Sequence, residues 1–172
     1  STTSSSMDET INLIRQYLDV PVILFPGNAS QFTPKADALM YLSLISGRNP
    51  DYLIGQHVLS SISIKKSGLK VVPVGYMLIE SGRMTSVEYI SNTKPIPSNK
   101  SEIAVCTAVA GELLGMQSIY LEAGSGADRP VPAEMIKSVK KNISIPLIVG
   151  GGIRSIQSIQ ETFAAGVDLV VI

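Results

Sequence analysis

The chain has 172 residues, 45% of them hydrophobic and 16% charged, with a mean hydropathy of +0.28, which supplies one well-buried core and is too short for two ordinary domains. Lys plus Arg and Asp plus Glu balance at 14 each, so no long-range field would hold nucleic acid or an anionic membrane, and any anion must be bound locally by backbone donors or a metal. The single cysteine, Cys106, excludes an intrachain disulfide and points to a reducing, cytoplasmic setting.

Taken in chain order, Ser6 and Glu9 have capping-box spacing, and Ile11, Ile14 and Leu18 recur at helical period, predicting a helix over Met7–Leu18. Val22–Phe25 reads as a short buried strand, ended by Pro26-Gly27-Asn28, and Ala36–Leu44 as the next strand. Only about ten residues separate these two, whereas a crossover between parallel strands needs about a dozen or more, so a helix is expected to be missing there. Asn49 and Pro50 open a helix that runs to Lys66 and stops at Gly68. Val71–Ile79 is read as a strand and Thr85–Ile90 as a short second one. Helix Lys100–Leu114, strand Ser118–Leu121, helix Ala133–Lys141, strand Pro146–Val149, helix Ile156–Ala165 and strand Asp168–Ile172 complete the alternation. Such alternation argues an α/β protein with a parallel sheet; a doubly wound sheet fits it too, but glycines after the second-to-last strand favour a (β/α)8 TIM barrel.

The longest apolar run, Val71–Ile79, is interrupted by Pro73 and Gly75 and falls short of the roughly 20 residues of a membrane span. Ser1–Ser6 has neither the cationic nor the apolar region of a signal peptide. The chain opens without Met and closes on what reads as a strand, so segments at both ends are expected to lie outside this sequence.

Two glycine clusters carry the chemistry. In Tyr120-Leu121-Glu122-Ala123-Gly124-Ser125-Gly126, period two puts Tyr120 and Glu122 on one strand face, and the glycines let backbone N–H groups approach a ligand. In Gly150-Gly151-Gly152-Ile153-Arg154, consecutive glycines ahead of a helix form an anion nest supported by the helix dipole. Arg154 reads either as a phosphate partner or as an exposed residue at a helix start. Ser1-Thr2-Thr3 reads as a serine-rich helix cap, with hydroxyls able to hold Mg²⁺ if a strand precedes them. Phe25–Asn28 is explained equally by turn chemistry and by function, and His57 and Cys106 read as structural residues inside helices. No HExxH, Cys/His metal set or GxSxG motif points to hydrolysis.

The stretches YLEAGSGA (Tyr120–Ala127), PVP (Pro130–Pro132), LIVGGGIR (Leu147–Arg154), VILFPGN (Val22–Asn28), Ala36–His57 and Gly75–Pro97 together resemble the geranylgeranylglyceryl phosphate synthase family, in the family's order and over nearly the whole chain. The resemblance implies a modified TIM barrel whose third helix is replaced by an irregular segment, with strands 1 and 2 upstream of Ser1. It implies prenyl transfer from geranylgeranyl diphosphate to the 3-hydroxyl of sn-glycerol 1-phosphate, an ether-lipid precursor step. It places glycerol phosphate on Tyr120–Gly126 and on Gly151 and Gly152, with Tyr120 and Glu122 catalytic, and Mg²⁺ on Ser1. A homo-oligomer is also implied. The family's first-strand Asp and nearby Lys, and its glycine loop after strand 8, are not in this sequence. The competing readings are a same-family transferase for another chain length, an FMN- or phosphate-binding barrel enzyme, and a noncatalytic ligand-binding remnant.

Overall fold

The computed structural model describes residues 4–172, so Ser1 and the Mg²⁺ role expected of it lie outside the described residues. Helix α1 (Ser4–Tyr17) leads to strand β1 (Ile23–Leu24), and β2 (Ala38–Leu44) follows with no helix between them, as the short spacing predicts. A π-helical turn (Asp51–Gly55) runs into α2 (Gln56–Ser67), then β3 (Lys70–Leu78), α3 (Ser86–Ser91), α4 (Ser101–Leu113) and β4 (Ser118–Glu122). Helix α5 (Ala133–Asn142), β5 (Leu147–Gly150), α6 (Ile156–Ala164) and β6 (Leu169–Val171) complete the described chain.

All six strands are parallel and neighbour one another in sequence order, from β1 to β6. That order decides between the two folds left open by the alternation. A doubly wound sheet reverses its strand order once and so places helices on both faces. Here the order never reverses, and right-handed crossovers therefore put helices such as α4, α5 and α6 on the same side, while the short α3 packs Val87 against the inner layer. The other face curls on itself, giving a half-barrel with two apolar layers. Tyr76, Leu78, Tyr120 and Ile148 fill the inner layer, while Met77, Ile119, Leu121 and Leu147 pack outward against Ala104, Ala108, Met135 and Ile136. Period-two alternation along β3, β4 and β5 separates the two sets.

Three local expectations are corrected. Thr85–Ile90 is not a strand: Ser86–Ser91 is a helix, because the Thr85 hydroxyl accepts the Glu88 amide as an N-cap and Asn92 ends the turn at φ 49°. Cys106 is exposed rather than packed, because α4 buries the Ala104, Ala108 and Gly111 stripe and Cys106 lies off it. Ser6 is no N-cap: α1 already runs from Ser4, and the Ser6 carbonyl accepts the Thr10 hydroxyl at 2.8 Å. Asn49, by contrast, caps as expected, its Oδ1 accepting the Asp51 amide at 3.1 Å while its Nδ2 donates to the Ser91 carbonyl at 2.6 Å.

Candidate active site at the strand ends

β4 delivers Tyr120 and Glu122 to the inner face, as their spacing predicts. Leu121 and Ala123 are fully buried in the outer layer, so only their backbone belongs to the site. Glu122 is 7% exposed, and its Oε1 accepts the Gly124 amide at 2.6 Å. Burial pushes its carboxyl above the ordinary carboxylate range, against the opposing pull of that amide and of the Tyr120 and Tyr76 hydroxyls that face it. Only the amide meets hydrogen-bond distance and angle; the tyrosines act on the carboxylate as neighbouring dipoles. Burial, reinforced by the Glu122 charge, raises both tyrosines, so each keeps its proton and remains a potential donor at neutral pH.

The two glycine clusters meet at this carboxylate. A Cβ on Gly151, where φ is +81°, would lie 2.6 Å from Glu122 Oε1 and 2.6 Å from the Gly124 amide nitrogen. No side chain fits there, and a left-handed turn there needs glycine in any case. Gly152 backs onto the next turn of chain, where a Cβ would stand 2.8 Å from the Pro130 nitrogen. A Cβ on Gly150 would fall on the Tyr120 hydroxyl, so that glycine makes the room in which the phenol stands. Ser125 and Gly126 lie at the exposed rim. The α6 end takes a different part from the one its dipole suggests: Ser155 and Ser158 cap each other there, with the Ser158 amide on Ser155 Oγ at 3.0 Å.

Two arginines brace the rim. Arg154 donates to the Ala127 carbonyl at 2.8 Å, and Arg83 donates to the Gly126 carbonyl and lies 3.5 Å from Asp128. Arg154 is thus held by protein backbone. Sequence reasoning missed Arg83 and also Tyr76, whose ring stacks on Tyr120 with centroids 5.2 Å apart. The signal for Tyr76 was available, since it lies two residues before Leu78 on the inward face of β3.

Phe25 joins these rings, stacking on Tyr120 at 5.5 Å and tilting against Tyr76 at 6.5 Å. From this aromatic group an apolar groove of about 440 Å³ runs outward. Met40 and Leu42 line it from the inner face of β2, Leu39 and Tyr41 from the outer face, and His57 and Ile64 of α2 close its far wall. It can pass from one face to the other because β1 pairs with β2 only at Ala38 and Leu39, leaving the rest of that strand edge unpaired among the described residues. The Phe25–Asn28 segment forms the groove's lip, held by an Asx turn in which Asn28 Oδ1 accepts the Ser30 amide at 3.0 Å. His57 packs edge-on against Tyr41 at 4.3 Å, and burial lowers its pKa, consistent with its structural reading.

Among the described residues no three His, Cys, Asp or Glu side chains converge on one point. No described helix is long and apolar enough to cross a membrane.

Comparison with known proteins agrees with the parallel half-barrel fold. Geranylgeranylglyceryl phosphate synthase of Spirosoma linguale is 54% identical over 164 residues, covering 95% of this chain and 66% of that protein. The synthase of the same name from Chitinophaga pinensis is 52% identical over 169 residues, covering 98% of this chain and 67% of that protein. The chain thus spans about two thirds of the length of these curated relatives. Among solved structures, the wild-type synthase of Thermoplasma volcanium superposes with a TM-score of 0.91 at 35% identity, covering 100% of this chain and 68% of that one. (S)-3-O-geranylgeranylglyceryl phosphate synthase of Thermoplasma acidophilum, solved with its substrate sn-glycerol-1-phosphate, gives a TM-score of 0.91 at 32% identity, covering 100% of this chain and 69% of that one. The PcrB family model matches residues 1–172, and with relatives of this identity along the whole half-barrel, the chain belongs to the PcrB family.

Proposed function

We propose that this chain carries the reaction centre of a Mg²⁺-dependent prenyltransferase that joins geranylgeranyl diphosphate to the 3-hydroxyl of sn-glycerol 1-phosphate. The observation that carries the reading is the junction at Glu122: a buried carboxylate and two interlocked glycine turns meet there, and Tyr76, whose hydroxyl faces that carboxylate, also lines the apolar groove. Phosphate is an acceptor-rich anion, and the backbone of the Gly124–Gly126 and Gly151–Gly152 turns suits it, apart from the Gly124 amide that Glu122 already accepts. Glycerol hydroxyls need acceptors, and Glu122 is the buried one at the head of that cradle. The prenyl tail needs a dry, elongated space. The groove volume lies within the range of about 300–1,000 Å³ usual for ligand sites. Its α2 wall, from Gln56 to Ile64, extends roughly 12 Å at about 1.5 Å per residue, and Tyr52 lengthens it beyond the helix start, which suits a long tail. Each methylene buried there contributes about 0.8 kcal/mol, before the costs of association are subtracted.

In this reading the glycerol oxygen attacks the first prenyl carbon while that carbon's bond to the diphosphate oxygen breaks, and diphosphate leaves. Glu122 orients the attacking hydroxyl, a positioning effect that lowers the barrier. Its burial-raised pKa also suits it to receive the hydroxyl proton, although anchoring is the firmer part of its role. The Phe25, Tyr76 and Tyr120 rings present π-faces near the positive charge that develops on the allylic carbon.

The same proposal takes the six strands as strands 3–8 of an eight-stranded barrel, places the reaction in the cytoplasm and makes the protein a homo-oligomer. Mg²⁺ held in part by Ser1 belongs to it as well. Calorimetric titration tests the acceptor site: the intact protein is expected to bind sn-glycerol 1-phosphate, and Glu122→Gln to weaken it by about tenfold or more. Equal affinity in the two proteins would refute the assignment.

A further inference from the structure

The turn that follows β4 has few amides left for an anion, because part of its backbone is already engaged. The Gly124 amide donates to Glu122, and the Ala127 amide donates to the Gly124 carbonyl at 3.1 Å. That closing bond, with Gly126 at φ +73°, makes Gly124–Ala127 a type II turn. The amides of Ser125 and Gly126, both at the exposed rim, have no protein partner among the described residues. These are the donors this turn can offer a phosphate.

Arg83, from the loop after β3, lies against the same turn. Its Nη2 donates to the Gly126 carbonyl and its Nε stands 3.5 Å from Asp128 Oδ1, so the planar fork is held along two edges. Thr85 of the same loop packs flush on the turn, where a Cβ on Gly124 would overlap its side chain. The Arg129 amide donates to the Ser81 carbonyl at 3.2 Å and closes the contact between the two loops. A trans peptide points its carbonyl and its N–H in opposite directions. A chain of hydrogen bonds therefore runs from the Arg83 guanidinium to the Gly126 carbonyl, from the Ala127 N–H of that peptide to the Gly124 carbonyl, and out through the Ser125 N–H. Each link polarises the one after it, and the chain begins on a full positive charge and ends on a free donor.

We infer that Arg83 is a positioning residue for the phosphate of the acceptor, acting through two peptide units of the Gly124–Ala127 turn to aim and strengthen the Ser125 amide. The inference rests on the glycerol phosphate reading of this turn, and it does not need the guanidinium to touch the ligand. Stability is not the role: the side chains of Arg83 and Asp128 are 55% and 54% exposed, and an ion pair so exposed contributes little to folding. Arg154 holds the Ala127 carbonyl, one peptide further on, which lies outside the chain that ends on Ser125. Its loss is therefore expected to matter less than the loss of Arg83.

The test uses the intact protein and calorimetric titration with inorganic phosphate. Proline suits the second position of a type II turn, so Ser125→Pro keeps the turn and removes the amide, while Ser125→Ala removes only the hydroxyl. Arg83→Gln and Ser125→Pro are each expected to weaken phosphate binding about tenfold, and Ser125→Ala far less. Once residue 125 is proline, Arg83→Gln is expected to add nothing, because both changes cut one chain. Arg83→Lys, which keeps a charged donor, is expected to recover most of the affinity, and urea unfolding of Arg83→Gln to match the parent. In prenyl transfer, Arg83→Gln is expected to raise KM for glycerol phosphate about tenfold and to leave KM for the prenyl diphosphate and kcat unchanged. No phosphate binding by the parent, equal affinity in Arg83→Gln, or fully additive losses in the double variant overturn the inference. Phosphate binding that follows the expected pattern, in a protein that transfers no prenyl group, would refute the proposed function and leave the role of Arg83 standing.

Discussion

Glu122 is destabilising where it is useful. Its folded-state pKa is raised by burial, so between the ordinary carboxylate value and that raised value the native protein holds a proton that the unfolded chain has lost. Stability from this group is therefore complete below the ordinary carboxylate pKa and is lost as pH rises through the raised one. Glu122→Gln, which removes the charge but keeps an acceptor for the Gly124 amide, is expected to raise Tm at neutral pH and to lose that advantage in acid. Thermal melts across pH would show it, and a gain that grows toward low pH would contradict the burial account. Activity should run the other way, since an ionised carboxylate is the better hydroxyl acceptor. The acid limb of kcat/KM for glycerol phosphate is expected above the ordinary carboxylate range, and a limb at or below it would place the titrating group elsewhere. The residue pattern made Tyr120 and Glu122 legible, because strand period two puts them on one face whatever the rest of the fold does. Tyr76 and Phe25 were harder to see: they come from distant segments, and only the half-barrel brings their rings onto Tyr120.

The elements bear on one another through their loops. Gly151 is where the loops after β4 and β5 touch, so Gly151→Ala combines a left-handed strain with a clash against Glu122. It is expected to cost about 1–3 kcal/mol in urea unfolding and to weaken glycerol phosphate binding; unchanged stability and affinity would mean that the turns do not interlock. Helix α3 is short and leans on its cap, and through Val87 and Ile90 it lines the groove. Thr85→Ala should cost about 1 kcal/mol and speed hydrogen exchange over residues 86–91, raising KM for the prenyl diphosphate more than for glycerol phosphate. An equal rise for both substrates would place α3 away from the tail. Thr85–Ile90 also shows why this element was misread: Thr, Val, Tyr and Ile favour a strand, and six residues are too few for helical periodicity to show. A single side-chain cap outweighed that propensity. The long, regular crossovers from β3 onward carried enough periodicity to be read, with boundaries shifted by a residue or two. Cys106 was misplaced for a related reason: α4 is apolar almost all round, so its sequence does not say which stripe faces the sheet.

At the scale of the whole molecule, strand order matters more than any single contact. Sequential parallel strands with a missing crossover helix produce an inward face for chemistry and, at the same time, an open flank for a tail. The missing helix was legible from the spacing between Phe25 and Ala36. The groove was not, because its walls come from both faces of β2, from α2, from α3 and from the segment after β1, and no local pattern records that convergence. The central claim is that these two spaces meet at one reacting pair of atoms. It is tested most directly by mass spectrometry of products from the intact protein, offered sn-glycerol 1-phosphate with prenyl diphosphates of several lengths. The account predicts an ether of glycerol phosphate, made most efficiently from the geranylgeranyl donor and abolished in Glu122→Gln. No prenylated product from any donor, with flavin absorbance in the pure protein, would contradict it.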